Sequence, residues 1–357
     1  MADDLDSHQR RRPSASSVRV TADGMGPGPR VGVIGTGFMG SVHLAAWRGI
    51  GITPAAILVR SDGSLPAELP VDRGTSTITD LETFLQRVDV VDICTPTDTH
   101  AALAVAAARA GKPTLCEKPL ALSVGASLQV VDAFEQAGVQ FQVAHVVRFS
   151  PEYVAARAAV SRGDIGDPAV LRLSRVSFAP DRATDSWFSD ERRSGGLFFD
   201  LMIHDLDYAR WIAGDVTQVY ARASSGSKSH GIAVLTHVSG AISHVEASWA
   251  APAPVFRTQL EIAGSRGILG FDSDETAPTK SKLHASALSA TTGLSEIGLA
   301  ANPFEAELQH FLDIVAGRRE PVLTALDAVA AVQLAAGAQA SARDGVAVSI
   351  EPLRGEG

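Results

Sequence analysis

Cysteine is nearly missing from this chain: 357 residues carry two, Cys94 and Cys116. Two cysteines at that separation form neither a disulfide framework nor a zinc-ligand spacing, and they suit a reduced compartment. No run of 18 apolar residues is present, which argues against an ordinary transmembrane helix. Excess positive charge is missing too, with 31 Lys and Arg against 40 Asp and Glu and a net charge of −9. That balance argues against nucleic acid or a membrane surface as partner. The one basic cluster, Arg10, Arg11 and Arg12, has no apolar stretch behind it before Val31, and a twin-arginine export signal needs one. Residues 1–29, rich in Ser, Pro and Gly, read as a disordered tail. Met25 stands directly before "GPGPRVGVIG" and offers an alternative start. A cytoplasmic location is expected.

What is present is an ordinary globular composition, 45% hydrophobic and 20% charged, in a chain long enough for two domains. From residue 30 to about 147, apolar strands alternate with helical stretches. "RVGVIGTGFMGSVHLAAW" reads as strand, Gly turn and helix; "AAILVR", "DVVDICTP", "PTLCEKPL" and "VQFQVAHV" are further strands, with "HAALAVAAARAG" and "SVGASLQVVDAFEQAG" as helices. Alternation of this kind predicts βαβ units and a doubly wound parallel sheet. Across residues 148–353 the pattern changes. A helix from about Pro151 to Arg162 leads into "AVLRLSRVSF", and a helix beginning at "GGLFFD" leads into five more strands punctuated by Gly and Ser. An α/β domain with an antiparallel or mixed sheet is expected there. Residues 273–301, rich in Ser, Thr and Ala, read as a loop before two closing helices and a last strand, "AVSIEPL".

Gly35, Thr36, Gly37, Phe38, Met39 and Gly40 spell G-x-G-x-x-G between the first strand and the first helix. In that setting the first glycine permits the tight turn and the second lets backbone approach a pyrophosphate. The third brings helix and strand close, while the helix N-terminus offers its amides to phosphate. A dinucleotide is therefore the expected cofactor. An acid ending the second strand would bind the ribose 2′-hydroxyl; here Arg60 and Ser61 stand there, with Asp62 beyond. Arg60 and Ser61 can receive a 2′-phosphate, which leans toward NADP over NAD. Asp62 as the ribose ligand is the alternative.

"GGLFFDLMIHDLDYARW" runs from Gly195 to Trp211. On a regular α-helix Asp200, His204 and Asp207 fall at i, i+4 and i+7, one narrow stripe on an otherwise apolar and hence buried helix. Charged groups inside are costly unless they are paired or used. A metal held by these three is geometrically conceivable, but without Cys or a second spaced His nearby no metal is expected.

With "GTGFMG", "TPTDTH" (Thr95 to His100), "EKPL" (Glu117 to Leu120), "RFSP" (Arg148 to Pro151) and "GGLFFDLMIHDLD" in order, the chain resembles the Gfo/Idh/MocA family (glucose–fructose oxidoreductase, inositol dehydrogenase) over residues 30–350. The resemblance implies a Rossmann domain followed by an α/β domain with an open, mostly antiparallel sheet, whose outer face builds homodimers or homotetramers. It implies hydride transfer between NAD(P) and a secondary alcohol or ketone of a cyclitol or sugar. Lys118, Asp200 and His204 then surround the reacting carbon. A histidine near its ordinary pKa can take the alcohol proton, an aspartate one turn away can orient it, and a lysine can stabilise the developing alkoxide. Lys118 as the proton carrier is the alternative division of labour. Asp207 matches a carboxylate that accepts from substrate hydroxyls, and Arg148 falls on the substrate side. Thr95, Pro96, His100, Glu117 and Lys118 fall on the cofactor side. His145 departs from the usual family pattern at its position and is a candidate substrate-side group. Trp187, Arg192 and Arg193 either meet substrate or form a solvated loop; Cys94 and Cys116 read as packing residues. Two rival readings share the fold: an NAD-dependent glycosidase that oxidises, eliminates and reduces again, and a non-enzymatic dinucleotide sensor.

Overall fold

The computed structural model describes residues 28–353 apart from 61, 64, 67–68, 70, 180–185, 225–228, 275–279 and 284–301, and only the backbone of 280–283. The expected N-terminal tail, save its last two residues, and most of the 273–301 segment lie outside the described residues. The described residues build two sheets.

The first sheet takes β1 (Val31–Ile34), β2 (Ala56–Leu58), β3 (Ser76–Ile78), β4 (Val90–Ile93), β5 (Thr114–Glu117) and β6 (Phe141–Ala144). All pair in parallel, in the order β3-β2-β1-β4-β5-β6. That is the doubly wound dinucleotide-binding topology, with the order reversing between β1 and β4. Its central strands are buried throughout, as strands covered on both faces must be. The helices that cover it are α1 (Phe38–Gly49), α2 (Leu81–Arg87), α3 (Thr97–Arg109) and α4 (Val124–Ala137). Asp80 and Ser123 cap α2 and α4 by accepting from the amides of Thr83 and Ala126. β3 and α2 are short and their period is too weak to read from sequence.

After α5 (Pro151–Ser161) come β7 (Pro168–Phe178), the short α6 (Glu191–Ser194) and α7 (Ile203–Ala213). The second sheet continues with β8 (Val216–Ser224), β9 (His230–His237), β10 (Ile242–Ala251), β11 (Phe256–Gly264), β12 (Gly267–Asp272), β13 (Lys280–Leu283) and, at the far end of the chain, β14 (Val348–Ser349). The order is β13-β12-β11-β7-β10-β9-β8-β14, antiparallel except where β7 meets β10. The fold is thus a Rossmann domain plus an α/β domain with a mostly antiparallel sheet. Within the stretch read as loop, Lys280–Leu283 instead pairs with β12 as an edge strand, since β12 offers a free ladder that a polar segment can satisfy.

Two closing helices, α8 (Pro303–Val315) and α9 (Ala325–Asp344), return to the first sheet. Leu308, Phe311 and Leu312 of α8 share a core with Trp47 and Leu44 of α1. α9 starts in a capping box, Thr324 with Asp327, and packs on both α4 and β8.

The helix expected to begin at Gly195 is not one regular α-helix. Phe198–Met202 forms a π turn before α7 begins. A π turn holds more residues than an α turn, so the regular α-helical spacing that set Asp200 in one stripe with His204 and Asp207 does not carry through it. Among the described residues no helix is long and apolar enough to cross a membrane.

Candidate active site

The glycine turn sits at the C-terminal end of β1, opening α1. Gly35 has φ +107, and a Cβ there would stand 2.5 Å from the Cys94 carbonyl oxygen. A Cβ on Gly40 would stand 2.3 Å from the Gly35 carbonyl oxygen, so helix and turn touch through bare backbone. A Cβ on Gly37, by contrast, meets nothing within 4 Å. Its space is open on the side where a pyrophosphate would approach. The first turn of α1 holds no acidic side chain, leaving its amides to an anion. These features fit a dinucleotide.

A cavity of about 970 Å³ runs from this turn across the sheet ends. Gly35, Thr36, Gly37, Phe38, Met39 and Arg60 line one end, Thr95, Pro96 and His100 its middle, and Glu117, Lys118 and Asp200 the other. Gly40 lies beneath the turn instead, Ser61 lies outside the described residues, and Asp62 does not line the cavity. Trp187, Phe188 and Arg193 do, and Arg193 donates to Asp98 at 2.7 Å across the two domains. Arg192 is exposed and pairs with Asp190.

His100 ties two loops together. Its Nδ1 lies 2.8 Å from the Pro119 carbonyl and its Nε2 2.8 Å from that of Thr95. Burial holds its pKa below the ordinary value, and a neutral ring donates to only one of these acceptors. Lys118 follows β5, its amide donating to Glu117 Oε2 at 3.0 Å. Its Nζ donates to the Asp200 carbonyl at 2.7 Å and to Asp200 Oδ1 at 3.2 Å. An ammonium has three donors. Two are spent on Asp200 and one is left for a ligand oxygen.

The stripe on the 195–211 segment resolves into two separate pairings and a histidine outside both. Asp200 bonds Lys118 and makes no hydrogen bond to His204, so it does not orient that imidazole as expected. Its carboxylate is taken by the Lys118 ammonium instead. His204 does not line the cavity, and its buried Nδ1 has no partner among the described residues. Burial, then the charges of Lys118, Arg175 and His145, drive its pKa well below 6.5, leaving a neutral ring at neutral pH. Asp207 is 2% exposed and fully engaged. Arg148 grips it through Nε at 2.8 Å and Nη2 at 2.7 Å, with His145 Nδ1 at 3.6 Å. The geometry departs from the expectation that Asp207 and Arg148 meet substrate: they bind each other, away from the cavity. His145 is likewise buried and off the cavity wall.

Sequence reasoning passed over two further buried groups. Asp205, in the same segment, is gripped by Arg175 at 2.7 and 3.0 Å. Asp92, inside the apolar strand "VVDI", meets His43 and Trp47. The available signal was a carboxylate in an otherwise apolar strand.

Residues 29–145 match the family model described as "Oxidoreductase family, NAD-binding Rossmann fold", and residues 153–270 match "GFO/IDH/MocA C-terminal domain". The D-apiose dehydrogenase of Paraburkholderia graminis is 30% identical over 346 residues, 91% of this chain and 90% of that protein. The chain belongs to the Gfo/Idh/MocA oxidoreductase family. The scyllo-inositol 2-dehydrogenase (NAD(+)) of Bacillus subtilis is 30% identical over 75% of this chain and 79% of that protein. Among solved structures, an oxidoreductase domain protein from Kribbella flavida superposes with a TM-score of 0.77 at 25% identity, covering 91% of this chain and 100% of that one. Within this Gfo/Idh/MocA oxidoreductase the glycine turn belongs to the NAD-binding domain, and the 195–211 segment to the C-terminal domain.

Proposed function

We propose that this protein is a dehydrogenase or reductase for a secondary alcohol or ketone on a cyclitol or sugar. One observation carries the reading: the same cavity holds the phosphate-accepting glycine turn and a Lys118 ammonium with one donor to spare. The nicotinamide dinucleotide, when bound, supplies the hydride donor or acceptor. Lys118 binds the substrate oxygen and stabilises its negative charge as it develops. Asp200 holds the ammonium through two contacts. Neutral His204 is a proton acceptor that does not need to be discharged first, and one intervening water carries the proton to it from the reacting oxygen.

Arg60, exposed at the cavity mouth where a ribose-binding acid would stand, supports NADP(H) over NAD(H). A homodimer or homotetramer through the outer face of the second sheet accounts for Tyr220, Ile232, Ile242 and Ile268. These large side chains are exposed while their strand neighbours Ala221, Ala233, Ser243 and Leu269 are buried. Light scattering on the purified protein reads the subunit count. Two free, buried cysteines suit the cytoplasm.

The test is absorbance of the reduced nicotinamide with a panel of cyclitols and aldoses, with NAD and NADP separately. Turnover of one polyol, abolished in Lys118→Ala and His204→Ala, is expected. Dinucleotide binding with no turnover anywhere on the panel would overturn the reading in favour of a sensor.

A further inference from the structure

Beneath the cavity, five buried side chains form one connected network. His43 of α1 places Nδ1 at 3.0 and 3.1 Å from the two oxygens of Asp92 on β4. Its Nε2 lies 3.0 Å from Glu117 Oε1 at the end of β5. Trp47 Nε1 donates to Asp92 at 2.7 Å, and Cys94 Sγ to the same carboxylate at 3.4 Å. The second oxygen of Glu117 accepts the Lys118 amide. His43, Asp92 and Trp47 are wholly buried.

Ionised carboxylates only accept, so a ring facing one on each side must donate from both nitrogens. His43 is then an imidazolium. Burial opposes that charge, but Asp92 and Cys94 together outweigh it and hold the pKa well above 6.5. On α8, packed against α1, Glu307 is buried with neither oxygen partnered among the described residues. Burial and the charges of Glu117 and Asp92 push its pKa far up, so it stays a neutral acid and leaves the imidazolium to the other two. A buried ion set of this kind is not needed for stability, since apolar side chains of similar volume commonly do as well. What it does fix is direction: Glu117 is clamped at one oxygen by α1 and at the other holds the backbone of Lys118.

We propose that the His43 imidazolium, anchored by Asp92, is a positioning group for Lys118 that acts through the Glu117 carboxylate. This rests on the reading of Lys118 as the group that binds the reacting oxygen. His43, Asp92 and Cys94 also bring their ligand atoms within 4.8 Å of one another, but a metal would have to displace at least one imidazole hydrogen bond.

The test uses the full-length protein and the variants His43→Gln, Glu117→Gln and the double variant, each checked for folding by circular dichroism. Both single variants are expected to lose about 10- to 100-fold in kcat, the cost of a misplaced catalytic group, with the dinucleotide Kd of His43→Gln, whose change lies off the cavity wall, within threefold of wild type. The double variant should be no worse than the poorer single, because both changes cut one chain. Unchanged kcat in a folded His43→Gln, or parallel losses in kcat and dinucleotide affinity, would overturn the proposal. Lys118→Ala separates the two readings. If it keeps turnover, the Lys118 reading fails; if it is dead while His43→Gln is fully active, only the positioning proposal fails. Two measurements need no turnover. Nitrogen-15 spectra of the histidine rings should show His43 doubly protonated at pH 8, and Lys118 amide exchange should quicken at least tenfold in His43→Gln. A neutral ring, unchanged exchange, or a near-stoichiometric bound metal by elemental analysis would each overturn it.

Discussion

Changing Asp207 to Asn separates a structural carboxylate from a substrate ligand. In the structure Asp207 and Arg148 are both about 2% exposed and joined by two short hydrogen bonds. Asn keeps the shape and one acceptor but removes the charge, so the guanidinium stays buried with less compensation. Removing one member of a buried pair costs roughly 3–5 kcal/mol. Arg148 retains the Val322 carbonyl at 3.0 Å and the half-shielded Asp327 carboxylate at 3.6 Å. The lower end, about 3 kcal/mol, is therefore expected. The double variant Arg148→Met/Asp207→Leu removes both charges and should recover most of that loss. Urea titration at pH 7.5 followed by tryptophan fluorescence is the assay, because the Trp211 ring lies 5.0 Å from the Arg148 guanidinium and reports locally. The substrate KM, measured alongside, should move less than threefold. A stability loss below about 1 kcal/mol, the value of an exposed pair, together with a raised KM, would refute the structural assignment. The pH dependence has a definite sign. Burial raises the Asp207 pKa, but Arg148 and His145 outweigh it and hold it below the ordinary value. Its contribution is thus complete above the unfolded value of about 3.9 and is lost as pH falls through the folded pKa.

His204, whose pKa burial and neighbouring cations hold well below 6.5, should leave kcat/KM flat through the usual histidine range. The acid limb should fall lower, and a limb centred near 6.5 that vanishes in His204→Gln would contradict this. Because its folded pKa is depressed, stability from this residue is complete above about 6.5 and declines as pH falls toward the folded value. Gly37→Ala has room for its methyl, so it should keep its denaturation midpoint while losing dinucleotide affinity at least tenfold in a fluorescence titration. Gly40→Ala drives a methyl against the Gly35 carbonyl and should lose stability by about 1–3 kcal/mol; equal midpoints for the two would count against the assignment of the turn. Arg60→Asp should shift the ratio of NADPH to NADH affinity toward NADH by at least tenfold, read as paired Kd values, and an unchanged ratio would remove Arg60 from cofactor choice.

Local rules made much of this protein legible. The switch from βα alternation to strand-rich chain near residue 148, the glycine turn in its strand-to-helix setting, and the lysine after β5 all depend on residues within a few positions of one another. Hydrophobic period and backbone sterics act at that range. The partners of the buried charges were not legible. Arg148 meets Asp207 59 residues on, and His43 meets Asp92 49 residues on. One sequence stretch placed Asp200, His204 and Asp207 in a single stripe; the packing around it sent Asp200 to Lys118 and Asp207 to Arg148, and left the buried His204 Nδ1 without a partner among the described residues. A desolvated charge takes whichever partner the packed elements bring within 3 Å, and that distance is set by how helices and sheets stack, not by the order of residues along the chain.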